Sequence, residues 1–329
     1  MNTAQLRERM QAVEARDLLR HPVVLSLLVL VALFAAGNVA APGFASFGSL
    51  TNVLRIAAFL GVIAAGQTIV ILGGGEGIDL SVGKIATFST VIVAQVSQGQ
   101  DERLLLAIVT AFAYCGLIGL GNGIGVAYLR IPPLVMTLGM VGVVTGIIRV
   151  YSGGQPEGRA PAMLSALVNG TTVGGIRGSV WIWLVVAVFT IWLLRGTTFG
   201  RRVYALGANR RAAELSGINL QRNLVLLYVA SSLYAALGGM LLLGFAGAAS
   251  INLADQYQLI SIAAVVIGGT TLAGGVGGYL GTAVGAVVLQ TMRNLLIVLD
   301  IPAAGRQVVN GIILIVLLSL YGRQRRLRQ

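Results

Sequence analysis

The stretch GGEGIDLSVGK at 74–84 combines glycines with Glu76 and Lys84, the only lysine of the chain, and at first sight resembles a phosphate-binding loop. Such a loop needs a glycine five positions before its Gly-Lys pair and a serine or threonine after the lysine. Those two positions hold Ile78 and Ile85. The stretch therefore lacks the pattern of a nucleotide site, and no other segment of the chain supplies it.

Two interpretations of this stretch stay open. Asp79 or Ser81 can serve as the N-cap of a following helix, because short polar side chains accept hydrogen bonds from the first unpaired helical amides. Alternatively, the stretch takes a direct part in gating a membrane passage, because polar groups within apolar surroundings are costly and often mark function.

Neutral polar residues inside apolar runs form a second group. Their amides and hydroxyls can hydrogen-bond the hydroxyls of an uncharged solute, or they can hold helices together. Arg293 also lies deep in an apolar run, where it either faces a polar pathway or marks a membrane edge. No carboxylate stands at the centre of such a run. The candidates for a pathway or a gate are Gln67, Asp79, Ser81, Asn122, Thr137, Gln290 and Asn294.

The residues that a metal centre or a nucleophilic mechanism requires are scarce. His21 is the only histidine and Cys115 the only cysteine, and the latter lies within an apolar run. No cluster has metal-ligand spacing, and no nucleophile stands with a recognisable base. We therefore predict no catalytic residue, no metal site and no cofactor bound by this chain.

The composition indicates a membrane protein. Of 329 residues, 56% are hydrophobic and only 10% are charged, and the mean hydropathy is +0.87. A soluble domain carries about 25% charged residues, so this chain has too little polar material to cover a surface in water. The 45 glycines fit close packing of helices in lipid.

Apolar runs of spanning length predict an all-α polytopic membrane protein with about ten transmembrane helices. The glycine-rich ends at 73–77 and 268–278 are expected to be broken or re-entrant. The ten runs lie at 23–41, 52–73, 82–98, 104–129, 134–151, 179–195, 222–246, 257–273, 277–298 and 306–321.

The net charge of +12 follows from topology rather than from a nucleic-acid partner, because basic residues concentrate in cytoplasmic segments of membrane proteins. With ten spans, both termini are predicted to be cytoplasmic. The predicted parts are a cytosolic arm at 1–22, a single membrane domain at 23–321 and a basic cytosolic tail at 322–329.

Two long loops interrupt the membrane domain. The loop 195–222 is rich in arginine, with Glu214 as its only acid, and is predicted to be cytosolic. The loop 150–178 is predicted to lie outside, where the apolar stretch 160–168 can form a short helix on the membrane surface.

A faint internal echo suggests a duplication. The segment 72–95 resembles 266–290 in its pattern, and YLRIPP at 128–133 resembles VLDIPA at 298–303. Transporters are often built from repeated halves. The separations between the two echoes differ, so an insertion or an accident is an alternative.

Four segments resemble the membrane permease of bacterial ribose-type carbohydrate importers of the ATP-binding cassette class. Together with the apolar runs they cover most of the chain from about residue 50 onward. They are GIDLSVG at 77–83, NGIGVAYLRIPPLVMTLGMVGVVTGIIRVYSGGQP at 122–156, FGRRVYALGANRRAAELSGINL at 199–220 and IAAVVIGGTTLAGGVGGYLGTAVGA at 262–286.

The resemblance implies an inner-membrane permease that moves a pentose, hexose or deoxyhexose by alternating access. It implies a second permease subunit, identical or paralogous, and a periplasmic sugar-binding protein. It also implies a cytosolic ATPase that holds ATP and Mg on its own chain. Membrane lipid surrounds such a permease, and no nucleic acid is involved.

The family's ATPase-coupling segment corresponds to 200–218 in this chain. The small and apolar residues between its arginines are typical of a helix that packs into a partner's groove. The expected coupling residues are Gly200, Arg201, Tyr204, Ala205, Leu206, Gly207, Asn209, Ala212, Ala213, Leu215, Ser216, Gly217 and Ile218.

Two departures from the family pattern leave the solute open. Glu76 interrupts the usual GGIDLSVG, and 257–261 lacks an acidic residue that many members carry there. The alternatives are the same architecture with another solute, such as a signalling furanose, a nucleoside or an amino acid, and an ion-coupled secondary carrier.

Overall fold

The computed structural model describes residues 22–309, 311–312 and 315. This part of the chain is predominantly helical, and residues 303–309 continue the helical pattern beyond the last named helix. The helices are α1 (Pro22–Ala40), α2 (Phe47–Leu72), α3 (Val82–Ser97), α4 (Leu104–Ala127), α5 (Pro133–Tyr151), α6 (Ala162–Asn169), α7 (Gly178–Gly196), α8 (Thr198–Ala208), α9 (Arg210–Leu215), α10 (Leu220–Ala246), α11 (Tyr257–Ile267) and α12 (Tyr279–Val298).

Seven helices in the described part of the chain are long and apolar enough to cross a membrane, namely α1, α2, α4 with the short turn before it, α5, α7, α10 and α12. They confirm the all-α polytopic class. Two predicted spans differ: the run 82–98 forms the 16-residue α3, and the run 257–273 stops as a helix at Ile267. The tenth run, 306–321, and the arm and tail lie largely outside the described residues.

The centre of the bundle is formed by α2 and α10. Nearly every side chain of α2 from Ala57 to Leu72 is buried. On α10, a Cβ at Gly239 would clash with the carbonyl oxygen of Ala86 in α3, so glycine is needed for the two backbones to approach. Small residues at such crossings replace the hydrophobic driving force that lipid does not supply.

The outer helices expose large apolar side chains, among them Leu105 of α4, Val143 of α5 and Val185 of α7. A soluble protein rarely exposes so large an apolar area. These surfaces therefore contact lipid or another membrane chain.

The connecting segments gather at two opposite ends. At one end, loop 73–81, helix α8 and loop 268–278 touch one another; we call it the coupling end. At the other end, the backbone amide of Ala160 donates to the carbonyl of Gly247, and Asp101 accepts from the amide of Met163 in α6; we call it the α6 end. This grouping matches the alternation of sides that the spans predict.

Helix α6 forms within the predicted outer loop, close to the expected stretch 160–168. Its Leu164 and Val168 are buried and contact the position of Gly244 at the end of α10. The loop 150–178 is thus partly packed onto the bundle rather than fully solvated.

Candidate coupling surface and membrane pathway

The loop 195–222 folds as two short helices, α8 and α9, rather than one. Each begins at a side-chain cap: Thr197 accepts from the amide of Gly200, and Asn209 accepts from the amide of Ala212. Asn209 has an extended backbone and therefore separates the two helices. A third cap, Asn219, starts α10, so the sequence itself sets every helix boundary in this loop.

The predicted coupling residues divide by exposure. One group is buried inside the permease: Gly200, Leu206 and Ala213. A second group is half-buried: Tyr204, Ala205, Gly207 and Ile218. The third group is exposed: Arg201, Asn209, Ala212, Leu215, Ser216 and Gly217.

Leu215 is the most prominent of the exposed group. It ends α9 and is 75% exposed, beside the exposed ion pair of Arg211 and Glu214. Exposure of an apolar side chain to water at the end of a short polar helix is unfavourable. Such side chains serve as anchors in helix-in-groove contacts. The α8–α9 unit thus presents a surface suited to a partner protein.

The inner side of α8 is in backbone contact with both glycine-rich loops. A Cβ at Gly207 would clash with the carbonyl oxygen of Leu72 and the amide nitrogen of Gly275, and a Cβ at Gly274 would clash with the backbone of Gly74. The amide of Gly275 donates to the carbonyl of Leu72 at 2.9 Å. We call these four glycines and the backbone around them the glycine junction, which comprises Gly74, Gly207, Gly274 and Gly275.

Two side chains fasten the coupling helices to this junction. The guanidinium of Arg210 donates to the carbonyl of Gly74 at 3.0 Å, and the hydroxyl of Tyr204 donates to the carbonyl of Gly277 at 3.0 Å. Partial burial raises the pKa of Tyr204, and nearby Arg195 opposes the shift. The hydroxyl therefore remains protonated and able to donate at neutral pH.

A polar network surrounds Asp79, whose side chain is completely buried. One carboxylate oxygen accepts from the amide and the hydroxyl of Ser81, and the other accepts from Ser231 at 2.8 Å, near the middle of α10. Asn122 of α4 donates to the Ser81 hydroxyl at 2.9 Å. The loop 73–81 is therefore re-entrant and carries a carboxylate into the interior of the membrane domain.

Two more candidates hold the backbone of the same segment. In the orientation that satisfies both bonds, the side-chain amide nitrogen of Gln67 donates to the carbonyl of Asp79, and its oxygen accepts from the backbone amide of Asp79. Thr137 of α5 donates to the carbonyl of Ile78 at 3.3 Å. Five of the seven pathway candidates thus meet around residues 78–81.

The helix-cap interpretation differs between its two candidates, because Asp79 accepts from the backbone amide of Ser81 just before α3. Ser81 occupies the N-cap position of α3 but makes no side-chain capping bond, because its hydroxyl is directed to Asp79 instead. The remaining candidates, Gln290 and Asn294, lie on α12, the first buried and the second half-buried. The network and α12 contribute separate groups of the predicted set.

A second polar cluster, which the sequence analysis did not identify, lies at the start of α3. The ammonium of Lys84 pairs with Asp255 at 2.7 Å and donates to the side chain of Asn252 at 3.0 Å. Beside it, Arg293 of α12 donates to Gln256 at 2.6 Å. The signal available in the sequence was a single lysine following a glycine-rich turn.

Among the described residues, no group of three or more histidine, cysteine, aspartate or glutamate side chains could hold a metal ion. The clusters above consist of amides, hydroxyls, the ion pair of Lys84 with Asp255, and the hydrogen-bonded side chains of Asp79 and Arg293. Such groups suit hydrogen bonding to a polar solute or between helices.

A family model described as the permease component of the branched-chain amino acid transport system matches residues 49–318. The ribose import permease of Escherichia coli strain K12 is 32% identical over 293 residues, 88% of this chain and 90% of that protein. The ribose import permease of Bacillus subtilis is 35% identical, with 90% of each chain covered.

The galactose/methyl galactoside import permease of Escherichia coli strain K12 is 32% identical over 89% of this chain and 91% of that protein. No solved structure matches the chain. The family model covers most of the membrane domain, including the glycine junction and both polar clusters. The chain therefore belongs to this family of transport-system permeases and is a multi-pass membrane transport subunit, not an enzyme.

Proposed function

We propose that this permease imports a sugar of the pentose, hexose or deoxyhexose class across the bacterial inner membrane by alternating access. A separate cytosolic ATPase drives the cycle, with ATP and Mg held on that chain. A periplasmic sugar-binding protein delivers the solute. A second permease subunit, identical or paralogous, completes the membrane part.

The observation that carries the proposal is the glycine junction. Helix α8 is fastened to two loops that connect spans, and α9 presents Leu215 outward. A force applied by a partner at α9 reaches α8 along the chain. From α8 it passes to α2 and to the segment that precedes α12 through main-chain contacts, which do not depend on a flexible side chain. The arrangement suits an ATPase that acts on the permease from the aqueous phase. Because the proposed ATPase is cytosolic, we assign the coupling end to the cytosol.

The solute class is favoured by the relatives. Several permeases that align over about nine tenths of this chain are named for ribose or galactose import, whereas the family model's description names branched-chain amino acids. The full-length relatives are the more specific guide. An amino acid, a nucleoside or a signalling furanose in the same architecture is the alternative solute.

Uptake of labelled D-ribose and D-galactose tests the proposal in cells that express the permease with its cognate cassette ATPase and binding protein. The expected result is uptake of at least one neutral sugar that ATP depletion abolishes and an ionophore leaves intact. Uptake that the ionophore abolishes while ATP depletion has no effect would establish an ion-coupled carrier instead.

A variant at α9 connects the transport result to the surface. Leu215→Asp is expected to abolish uptake and the co-purification of the ATPase, because a charge replaces the exposed apolar anchor. Glu214→Gln is the matched control, since exposed ion pairs contribute about 0–1 kcal/mol. Normal uptake by Leu215→Asp would contradict the assignment of this surface to the motor.

A further inference from the structure

The cluster at the start of α3 lies deep in the membrane domain. The loop 247–256 leaves α10 at the α6 end, where Gly247 bonds to Ala160. It then turns inward, because the amide of Ala254 donates to the hydroxyl of Thr87 at 3.1 Å. Thr87 is about ten residues, or ~15 Å, from the end of α3. In a hydrocarbon core ~30 Å thick, that depth is close to the middle.

Two short helices begin at this depth and run in opposite directions. Helix α3 leads to the α6 end, and α11 leads to the coupling end, where loop 268–278 follows it. Broken helices of this kind are tolerated within a membrane where their ends are buried in protein or line a water-filled cavity. Their meeting point is where charged and amide side chains concentrate.

The cluster has a buried inner part and an exposed outer part. Lys84 is only 8% exposed, whereas the side chain of Asp255 is 37% exposed. Asn252 and Gln256 are exposed, and Arg293 is half-buried. Charged groups at mid-membrane depth do not face lipid but a bundle interior or a water-filled cavity. The outer part of the cluster therefore faces an aqueous space.

The cluster also has hydrogen-bonding capacity beyond its own contacts. One carboxylate oxygen of Asp255 accepts from Lys84, and the other is buried and has no hydrogen-bond partner within the described part of the chain, so a solute reaches Asp255 only at its exposed part. Asn252 accepts from Lys84 through its oxygen, so its amide nitrogen is left to donate outward. Acceptors and donors thus stand side by side.

We propose that Asn252, Asp255, Gln256 and Arg293 form a transient binding site for a neutral polyhydroxylated solute, with Lys84 as a positioning residue. Adjacent hydroxyls both donate and accept, so they can match a carboxylate and an amide or guanidinium together. A cationic solute would meet Arg293 within the same site, and the carboxylate of Asp255 is already paired with Lys84. This proposal rests on the proposed function and deepens it.

The role of Lys84 follows from its three bonds. It donates to the carbonyl of Ile251 at 3.4 Å as well as to Asn252 and Asp255. These bonds fix the inward loop against α3 and neutralise the carboxylate. Lys84 itself is too buried to contact the solute.

Cysteine labelling tests the site without relying on transport. The native Cys115 is fully buried, so the background is silent. In opened membrane vesicles, a water-soluble thiosulfonate is expected to label Asn252→Cys and Gln256→Cys. Sugar on the order of 0.1 M, about ten times a weak Kd, should slow that labelling roughly tenfold by occupancy.

Two matched positions control for exposure. Gln100→Cys, exposed at the α6 end, is expected to react at a rate that sugar does not change. Val185→Cys, exposed on the apolar face of α7, is expected to remain unlabelled because it faces lipid. Lack of labelling at both 252 and 256 would overturn the proposal.

The sugars used are D-ribose and D-galactose, with D-galacturonate as the charged comparison. If cells that carry the same cysteine variant import a neutral sugar that gives no protection, the site is wrong and the proposed function stands. If galacturonate alone is imported and protects, the neutral class is wrong. If no sugar is imported and none protects, both the site and the proposed function fail.

The positioning role has its own readout in the Gln256→Cys background. Lys84→Met should leave the cysteine reactive but abolish protection by sugar, and Lys84→Arg should restore protection because it keeps the charge. Full protection in Lys84→Met would overturn the role of Lys84. If Lys84→Met fails to reach the membrane, Lys84→Arg is compared with the protein that keeps Lys84. Loss of protection by sugar in the arginine variant would then count against the positioning role of Lys84.

Discussion

Asp79 shows how one residue can take a local role that the sequence predicts and a long-range role that it does not. Its position after a glycine-rich turn predicts a cap, but the turn continues into the interior and delivers the carboxylate to Ser231 on α10. The carboxylate therefore joins the start of α3, through Ser81, to the middle of α10, through Ser231. In this environment each hydrogen bond to a charged group contributes about 1.5–3 kcal/mol.

Asp79→Ala should therefore lower the stability of the permease. The change leaves the hydroxyls of Ser81 and Ser231 without their acceptor, and we expect a loss of about 3 kcal/mol. For a chain of this size, that corresponds to a fall in Tm on the order of 10 °C. A dye that reacts with Cys115 only after unfolding can follow the transition in detergent, because this cysteine is fully buried.

The control for this measurement is Asp101→Ala. Asp101 is exposed and accepts one bond, from the amide of Met163 at the α6 end. Its removal should shift the Tm much less, because water replaces the lost partner. Equal shifts in the two variants would show that the Asp79 network does not stabilise the interior.

At the scale of elements, the glycine junction brings α8 into backbone contact with loops 73–81 and 268–278. We expect Gly207→Ala to push α8 away from Leu72 and Gly275. Overpacking costs about 1–3 kcal/mol, and 1.4 kcal/mol corresponds to a factor of ten, so sugar uptake should fall roughly tenfold or more. ATP hydrolysis by the assembled importer should persist, which is the signature of uncoupling.

Gly48→Ala is the matched control, because a Cβ at that position in α2 meets nothing within 4 Å. Its uptake should equal that of the unmodified permease. Both variants should reach the membrane in similar amounts, measured by immunoblotting. Unchanged uptake in Gly207→Ala would exclude the junction as the route of coupling.

The sequence predicted the elements of spanning length and the short α6, but it did not predict that α3 and α11 are too short to span. The long apolar runs appear as helices within a few residues of their expected ends, because lipid requires about twenty apolar residues in a row. Helix α3 coincides with its run but is only 16 residues long, whereas the run of α11 continues into a loop beyond Ile267. Glycine content marked the breaks, but composition alone could not show that the loops turn inward and meet.

The sequence also predicted only part of the candidate site, because it could not show which loops turn inward. Gln67, Asn122 and Thr137 were identifiable because they interrupt apolar runs, and five of the seven candidates do lie together. Asn252, Asp255 and Gln256 were missed because they stand in a segment that looks like an ordinary polar loop. Only the contact of that loop with Lys84 and Thr87 places them at depth.

At the scale of the whole molecule, the connecting segments group at two ends as the predicted alternation requires, and the assignment of each end to a side of the membrane stays a prediction. We expect an impermeant thiol reagent to label Gln155→Cys in intact spheroplasts and Ser216→Cys only in inverted vesicles. Both positions are exposed, one in loop 150–178 and the other after α9. The reverse pattern would place the coupling end outside and would contradict the predicted cytoplasmic termini.

The internal duplication stays a prediction, and the backbone supports it at one pair of positions. Arg130 and Asp300 occupy the same place in the echoed motifs, and both have positive φ, at 56° and 55°. Each precedes an Ile-Pro pair and a helical segment. Between the echoes, however, the first copy contains both α3 and α4, whereas the second contains α12 alone.

Lys84 has a practical consequence for anyone studying the assembled importer. It is the only lysine of the chain and is buried in the membrane domain. The one side-chain amine is therefore inaccessible to succinimidyl esters and glutaraldehyde. Amine-based cross-linking will therefore leave the membrane domain unjoined to its partners even where they touch. Mapping those contacts calls for carboxylate-directed or photoreactive chemistry, and lysine-specific proteases will not fragment the folded chain for mass spectrometry.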